Sequence, residues 1–207
     1  MQYSDVKAHL RRSYDAHARE RAATSDRPWK QAERERFAEA LRTAGLSSVV
    51  EIGAGHGVSG RYFAAEGFDV TCIDLSPELV AECRRAGLRA EVMDFSCLSF
   101  PDQSFDAAFG MNCLLHVPRA QLGSVLRSIR RVLRPGGLFY WGQYTIGAPF
   151  EGIYESDSYE PKRFFALLTD DEIKQAARAL FDVVEFRRLN VGPASGSYQS
   201  LLLRVVG

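Results

Sequence analysis

The chain has 207 residues, of which 46% are apolar and 25% are charged, and its 26 basic side chains equal its 26 acidic ones. This length and composition are those of one globular domain with a well-buried core. A net charge of zero argues against a polyanionic partner, because nucleic-acid binders usually carry a basic excess. No apolar run approaches the roughly 20 residues of a membrane-spanning helix. We therefore expect neither nucleic acid nor membrane as a partner.

The N-terminus and the cysteines indicate the compartment. The first five residues lack the charged-then-apolar pattern of a signal peptide. The four cysteines are widely spaced with no Cys-x-x-Cys pair, which favours reduced thiols over metal ligands. We therefore expect a cytoplasmic protein without a bound metal.

Residues 1–45 are mildly basic and are predicted to form two helices. The first spans 4–23, and the second follows the helix breaker Pro28 and ends near Gly45. A basic excess on such helices is more typical of a solvated face than of a binding patch.

Residues 46–144 alternate between short apolar runs and helical patterns, which predicts a parallel sheet with helices on both faces. The predicted strands span 48–52, 70–73, 89–93, 105–111 and 137–144, and the predicted helices span 58–66, 76–86 and 119–133. Residues 147–165 have no clear period and are predicted to be an insertion. A helix at 169–180 then precedes two long strands at 181–191 and 198–206, which the short loop 192–196 makes antiparallel.

The segment 49–60 predicts a ligand site. A buried strand carries Glu51 near its end and is followed by glycines at positions 53, 55 and 57. Such glycines permit tight backbone angles and let a ligand lie against bare main chain. Asp74 ends the next strand, where an acid can accept both hydroxyls of a ribose. Together these features predict a nucleotide-sized ligand at the carboxyl edge of the sheet.

Two cofactor classes use this layout. Counted from Gly55, residues 55–60 satisfy the dinucleotide pattern G-x-G-x-x-G. Counted from Glu51, the same segment reads acid-x-G-x-G-x-G. A carboxylate is unfavourable near a pyrophosphate but favourable near a cofactor with an amine and a sulfonium. The later strands also lack the Tyr-x-x-x-Lys pair expected of an NAD-dependent oxidoreductase.

Residues 51–57 resemble the first motif of the class I S-adenosylmethionine-dependent methyltransferases, of the small methyltransferase-domain group. Asp74 matches the ribose-binding acid of that family, and 93–95 resembles its adenine-contacting segment. Residues 105–109 are similar to its fourth strand and 133–137 to the turn before its fifth. The resemblance runs over 49–144 and more loosely to the end of the chain.

The resemblance implies a fold, a division of the chain and a cofactor. The fold is a Rossmann-like three-layer α/β sandwich whose seven-stranded, mostly parallel sheet has the order 3-2-1-4-5-7-6, with strand 7 antiparallel. One domain, 1–207, would comprise an N-terminal helical lid (1–45), a cofactor-binding core (46–144), a substrate-side insertion (145–168) and a C-terminal helix and hairpin (169–207). S-adenosylmethionine would contact Glu51, Gly53, Ala54, Gly55, Gly57, Asp74, Leu75, Asp94, Phe95 and Asn112.

Methyl transfer from a sulfonium mainly requires that the protein hold the acceptor about 3 Å from the methyl group. His116 follows the fourth strand and is a candidate base or substrate-orienting residue. Tyr14 resembles an N-terminal residue that closes over the cofactor in related enzymes, and Tyr144 ends the fifth strand. We assign all three to the catalytic site; the alternative for each is a purely structural role.

The acceptor pocket is predicted from aromatic and charged residues outside the core alternation: Trp29, Glu151, Tyr154, Tyr159 and Arg163. The alternative for Arg163 is an internal ion pair with an acid that only orders the loop. Residues 112–115 lack both the Asn-Pro-Pro-aromatic box of nucleic-acid amino methylases and a carboxylate cluster for a metal.

The sequence thus predicts methyl transfer from S-adenosylmethionine to a small molecule, with the acceptor atom (O, N, C or S) left open. The alternatives are an RNA or protein methyltransferase, an inactive cofactor-binding module and an NAD-dependent oxidoreductase. A homodimer is kept open.

Overall fold

The computed structural model describes residues 2–23, 26–192 and 196–206, so the centre of the predicted loop 192–196 lies outside the described residues. The helices are α1 (Tyr3–Ala16), α2 (Ala18–Ala22), α3 (Pro28–Ala44), α4 (Val58–Ala65), α5 (Pro77–Arg85), α6 (Arg119–Val132) and α7 (Asp170–Arg178). The strands are β1 (Ser48–Ile52), β2 (Asp69–Asp74), β3 (Arg89–Val92), β4 (Phe105–Met111), β5 (Leu133–Thr145), β6 (Phe150–Ile153), β7 (Phe164–Leu167), β8 (Asp182–Asn190) and β9 (Ser197–Arg204).

Seven strands form one sheet in the order β3-β2-β1-β4-β5-β9-β8. Pairing is parallel from β3 to β5, whereas β9 is antiparallel to both β5 and β8. Because β8 and β9 are the predicted strands six and seven, the predicted sheet order is confirmed. The register places the carboxyl ends of β1, β2 and β4 beside one another, at the edge where the glycine turn begins.

Two apolar cores confirm the predicted three layers. On one face of the sheet, Phe37 of α3 and Phe63 of α4 pack against Phe109 and Tyr140. On the other face, side chains of α6 and α7 pack against the sheet in a cluster that includes Val125, Ile129, Phe139, Trp141, Ile173 and Leu201, all fully buried. The sheet is therefore covered on both sides and offers its carboxyl edge to a ligand.

The segment predicted as an irregular insertion contains a two-stranded antiparallel sheet of β6 and β7. Each strand has only four residues. So short a strand shows too few alternating positions for a period-two pattern to be visible in the sequence. The resulting β6–β7 hairpin packs beside α1 and the turn after β4.

The predicted helix 4–23 is interrupted at His17, whose backbone angles (φ −110°, ψ 11°) end α1 before α2 begins. Both short helices contact α5. The side chain of Asp15 hydrogen-bonds to the hydroxyl of Ser76, the residue that caps α5. These contacts hold the N-terminal helices over the carboxyl edge of the sheet.

Within the described residues, no helix has the length and apolar character needed to cross a membrane.

Candidate functional site

A cavity of about 280 Å³ lies at the carboxyl edge of the sheet, between the strand ends and the N-terminal helices. One face of α1 lines it through Tyr3, Lys7, Leu10 and Tyr14, whose spacing of four, three and four residues is that of a helix face. The predicted site residues that also line it are Glu51, Gly53, Ala54, Gly55, Asp74, Leu75, Asp94, Phe95, Asn112, His116 and Tyr159. One cavity thus joins most of the predicted cofactor residues to the acceptor-side residues Tyr14, His116 and Tyr159.

The three glycines of the turn after β1 have left-handed backbone angles, with φ of 66° at Gly53, 59° at Gly55 and 80° at Gly57. A Cβ atom at Gly53 would lie 2.4 Å from Cys113 Cβ, and one at Gly57 would lie 2.6 Å from Leu88 Cδ1. At Gly55 the nearest described atom would be Arg21 Nη2 at 3.7 Å. Gly53 and Gly57 therefore serve close packing, whereas Gly55 leaves room in the cavity.

Asp74, at the end of β2, fixes the glycine turn. Its Oδ2 accepts a hydrogen bond from the backbone N–H of Gly55 at 2.8 Å, and its Oδ1 accepts one from Ser76 at 2.9 Å. Burial raises the pKa of Asp74 above its usual range. Each carboxylate oxygen has a second lone pair, so Asp74 can still accept hydrogen bonds from a ligand.

Glu51 is buried at the end of β1, with 4% of its surface exposed. Cys72 Sγ lies 3.5 Å from its Oε2, and Ser59 and the backbone of Gly60 also hydrogen-bond to the carboxyl. Burial raises the pKa of Glu51 to about 7, in spite of these bonds. A cation bound in the cavity would favour the ionised form of this carboxyl.

Asn112, just after β4, has a left-handed backbone (φ 59°), and its backbone N–H donates to Gly142 O at 2.7 Å. Its side-chain Oδ1 is buried and lacks a hydrogen-bond partner among the described residues. A buried acceptor without a partner costs roughly 1–3 kcal/mol. A ligand that donates a hydrogen bond here would remove that cost.

The segment after β3 is held by α1. Lys7 Nζ lies 2.5 Å from Asp94 Oδ2, and the other carboxylate oxygen of Asp94 accepts from the backbone N–H of Ser96 at 2.8 Å. Phe95 lines the cavity beside Asp94. This ion pair ties the N-terminal helix to the region expected to contact the adenine.

Tyr14 and His116 form a hydrogen-bonded pair in the cavity wall. The Tyr14 hydroxyl lies 2.6 Å from His116 Nε2, and His116 Nδ1 lies 2.6 Å from the carbonyl oxygen of Phe164. Since a carbonyl only accepts, Nδ1 carries the proton and Nε2 accepts from Tyr14. Burial lowers the pKa of His116 to about 3, so the ring is neutral at pH 7. Burial also raises the pKa of Tyr14.

Arg163 braces this pair from the β6–β7 hairpin. Its Nε and Nη2 lie 2.8 and 2.7 Å from the two carboxylate oxygens of Asp157, and its guanidinium lies 3.7 Å from the centre of the Tyr159 ring. Its Nη1 donates to the Tyr14 hydroxyl at 3.3 Å. The sequence-level alternative for Arg163, an internal ion pair with an acid, is thus present. Substrate binding by Arg163 stays a prediction.

Five further predicted residues do not line the cavity. Trp29 and Tyr144 pack on Tyr198, with ring centres 4.6 and 5.6 Å from it. Glu151 Oε2 lies 3.4 Å from Arg119 Nε, and Tyr154 packs on two phenylalanines of the hairpin. Gly57 packs against Leu88 and Cys83 instead. The functional roles assigned to these residues stay predictions, and the structure gives each one a packing or ion-pair partner.

The cavity also contains cations that the sequence did not single out. Arg21 of α2 donates to the Tyr159 hydroxyl at 2.8 Å, and Lys30 and Arg34 enter from α3. Burial and the nearby guanidinium of Arg21 lower the pKa of Lys30 to about 8. The helical spacing of Tyr3, Lys7, Leu10 and Tyr14 was the available signal that α1 has a cavity-facing side, whereas nothing local distinguishes Arg21 from a solvated arginine.

Among the described residues, no group of three His, Cys, Asp or Glu side chains could hold a metal ion. Methyl transfer without a metal stays a prediction.

Residues 49–137 match the family described as a methyltransferase domain, and this range contains the glycine turn, Asp74, Asp94 and His116. The sheet order with its antiparallel β9 is the Rossmann-like arrangement expected of that family. Over residues 49–137 the chain is therefore similar to the class I S-adenosylmethionine-dependent methyltransferases, enzymes whose cofactor is S-adenosylmethionine.

Three relatives illustrate the range of similarity. Demethylmenaquinone methyltransferase of Tropheryma whipplei is 36% identical over 120 residues, covering 54% of this chain and 49% of that protein. Ubiquinone biosynthesis O-methyltransferase of Xanthomonas oryzae pv. oryzae is 37% identical over 99 residues, covering 44% and 41%. The chain therefore spans about half the length of the curated relatives it matches.

The third is a solved structure, the 1,6-didemethyltoxoflavin-N1-methyltransferase of Burkholderia thailandensis with bound 1,6-didemethyltoxoflavin and S-adenosylhomocysteine. Its sequence is 25% identical to this chain, and the TM-score is 0.78. The match covers 100% of this chain and 92% of the solved chain.

The cavity fits S-adenosylmethionine by its donor and acceptor groups. The space beside Gly55 would be filled by a Cβ atom, which suits a ligand lying against the backbone. Asn112 Oδ1 offers an unused acceptor, and the buried Glu51 offers a carboxyl that a cation would ionise. Asp74 offers acceptors for a ribose.

Proposed function

We propose that this chain transfers the methyl group of S-adenosylmethionine to a small-molecule acceptor held against Tyr14, His116 and Tyr159. The observation that carries the proposal is that one cavity joins the cofactor motif to these three side chains. The relatives add support, because their names specify small acceptors such as demethylmenaquinone and 1,6-didemethyltoxoflavin.

Bound S-adenosylmethionine would supply an electrophilic methyl group. In the proposed arrangement, Asp74 accepts from the ribose, and Glu51 and Asn112 receive the cationic amine. Lys7 and Asp94 hold α1 closed over the site, which keeps water away from the reacting atoms. The protein's main contribution is then positional, since a well-aligned bound acceptor needs little further help.

Tyr14 is placed to position the acceptor. The Tyr14 hydroxyl donates its proton to His116 Nε2, so the lone pairs of its oxygen are left to accept hydrogen bonds from other groups. His116 is in turn fixed by Phe164 of β7, and Arg163 holds the Tyr14 hydroxyl from the same hairpin. The N-terminal helix and the β6–β7 hairpin together define where the acceptor lies.

The test has two stages. Calorimetry should show S-adenosylhomocysteine binding to the wild type, and labelled S-adenosylmethionine should then methylate a compound from a small-molecule library. Binding without turnover on any small molecule, RNA or protein would favour an inactive cofactor-binding module. Turnover on RNA or protein alone would contradict the small-molecule proposal.

We also propose a cytoplasmic location without a nucleic-acid partner, and we retain a homodimer as an alternative to a monomer. The balanced charge and the absence of disulfides among the described cysteines support the first. Fractionation of cells that produce the protein tests its location, and size-exclusion chromatography with light scattering tests its oligomeric state.

A further inference from the structure

The charges around the cavity are unevenly paired among the described residues. Two of the lining cations have carboxylate partners: Lys7 pairs with Asp94, and Arg34 pairs with Asp26. Arg21 and Lys30 have no carboxylate within ion-pair distance in the described chain, and Arg21 Nε is buried without a hydrogen-bond partner. Arg21 and Lys30 therefore lack a directly paired carboxylate, although Glu51 and Asp74 line the same cavity.

Arg21 lies between the glycine turn and the acceptor side, since its Nη2 would be 3.7 Å from a Cβ atom at Gly55. Lys30 is close enough to Arg21 for that guanidinium to lower its pKa. Arg21 Nη1 donates to the Tyr159 hydroxyl, and its guanidinium carbon lies 5.2 Å from the centre of the Tyr14 ring. The Tyr14 and His116 rings meet edge to face with centres 5.6 Å apart. The wall beside Arg21 is thus aromatic, and aromatic walls suit a planar ligand.

The same wall lacks an effective base. His116 Nε2 is occupied by the Tyr14 proton, and Nδ1 is occupied by the Phe164 carbonyl. The neutral Tyr14 is a donor to His116 and not a proton acceptor of useful strength. An acceptor that must lose a proton during transfer would find no base in the Tyr14–His116 pair, whereas one that arrives already ionised would need none.

Resting on the proposed function, we propose that the acceptor binds as an anion. It would be a planar compound with a deprotonated hydroxyl or a deprotonated acidic ring nitrogen, and Arg21 and Lys30 would supply its counter-charge. During transfer the acceptor's lone pair forms the bond to the methyl carbon, and the electron pair of the broken carbon–sulfur bond stays on sulfur. The acceptor's negative charge and the sulfonium's positive charge disappear together, so no proton has to leave.

The test uses 4-nitrophenol and its methyl ether 4-nitroanisole as a matched pair of probes. Each is titrated into the protein saturated with S-adenosylhomocysteine, at the pH where half of the free phenol is ionised. The phenolate should bind at least about tenfold more tightly than the ether, because hydrogen bonds to a charged group contribute roughly 1.5–3 kcal/mol. The phenolate absorbance should rise on binding.

Arg21→Met and Lys30→Met should each reduce this preference about tenfold. Arg19→Met is the matched control, since Arg19 is an exposed arginine of the same helix and does not line the cavity. Circular dichroism and the Tm verify that each variant is folded. Two variants on different helices keep the test informative if one of them fails to fold.

Two results would overturn the inference. One is an ether that binds the wild type as tightly as the phenolate does. The other is a large loss of S-adenosylhomocysteine affinity in Arg21→Met with the phenolate preference retained, which would assign the cation to the cofactor's own carboxylate. Failure of the wild type to bind S-adenosylhomocysteine would instead refute the proposed function. In that case the preference for phenolate over ether, measured without cofactor, would still test the anion site.

Discussion

The two walls of the cavity are built in different ways. The wall formed by the ends of β1 and β2 consists of backbone and of two acids within 49–74, the buried Glu51 and the half-buried Asp74. The opposite wall consists of side chains far apart in the chain, such as Tyr14, His116 and Arg163, which hold one another by hydrogen bonds. The first wall is sensitive to added atoms, and the second should be sensitive to the loss of single polar groups.

The largest expected effect is at Gly53. Gly53→Val places a side chain on Cys113 and forces a left-handed backbone, so we expect a loss of roughly 3 kcal/mol or more in the free energy of unfolding. Gly45→Val is the matched control, because Gly45 has φ of 67° but an added Cβ would have no described atom within 4 Å. Urea denaturation of both variants checks this. Equal losses would contradict the packing role of Gly53.

Gly55→Val separates binding from stability within the same wall. Its loss of stability should resemble that of Gly45→Val, since both carry a left-handed backbone with open space nearby. Cofactor binding should nevertheless be abolished, because the added side chain occupies the space beside the turn. Calorimetry with S-adenosylhomocysteine on the folded variant measures this. An affinity equal to that of the wild type would show that the cofactor does not bind beside Gly55.

Asp74→Ala should weaken S-adenosylhomocysteine binding by about 2 kcal/mol, because it removes a charged acceptor and releases the Gly55 N–H. Asp69→Ala is the control: Asp69 begins the same strand but forms an exposed ion pair with Arg89. Such exposed pairs contribute little. An affinity change as small in Asp74→Ala as in the control would sink the ribose assignment.

Tyr14→Phe tests the second wall by removing one oxygen. Methyl transfer should slow by about tenfold or more, since the acceptor loses its positioning group, while cofactor affinity should change little. His116→Ala should have the same pattern of effects. Tyr62→Phe, on α4 and outside the cavity, is the control. Steady-state kinetics with the acceptor found by screening measure the effect. Unaltered turnover in Tyr14→Phe would leave the pair with a structural role only.

The two walls also differ in how far the sequence could predict them. The first wall lies within 49–74, where strand ends, glycines and acids follow at short, fixed spacing, and the cavity contains most of those residues. In the second wall, Arg21 reads as one of several basic residues on a solvated helix. Its place beside Tyr159 depends on the break at His17, which neither proline nor glycine signals. Long-range packing determines which side chains meet in the second wall, and local sequence patterns carry little information about that packing.

The substrate-side prediction shows the same limit. An internal ion pair of Arg163 was one sequence-level alternative, but its partner Asp157 could not be chosen from the several acids in 151–160. The hairpin that brings them together has strands too short to show alternation. Tyr154 and Glu151 looked equally suited to bind a substrate in the sequence. In the structure Tyr154 packs on two phenylalanines of the hairpin, and Glu151 pairs with Arg119.

The smallest predicted effect returns to the first wall and concerns protons. In the folded protein without cofactor, the pKa of Glu51 is raised to about 7 from 4.5, chiefly by burial. The folded state binds the proton of Glu51 more tightly than the unfolded state does, which adds to the free energy of unfolding. This contribution is complete below about pH 4.5 and is lost as the pH rises through about 7. Cationic S-adenosylmethionine should favour the ionised carboxyl and release a proton on binding. Its affinity should then rise about threefold from about pH 6.5 to about pH 7.5.

Calorimetry in buffers of different ionisation enthalpy measures that proton directly. Glu51→Gln should lose both the proton release and the pH dependence of affinity, while Glu91→Gln, an exposed glutamate on β3, should keep them. Cys72, Ser59 and Arg34 face the carboxyl, and Asp74 is the other acid of this wall with a raised pKa, so residual release in Glu51→Gln would be assigned to Asp74. Undiminished release in Glu51→Gln would show that the first wall binds the cofactor through its backbone and ribose contacts without charge from β1.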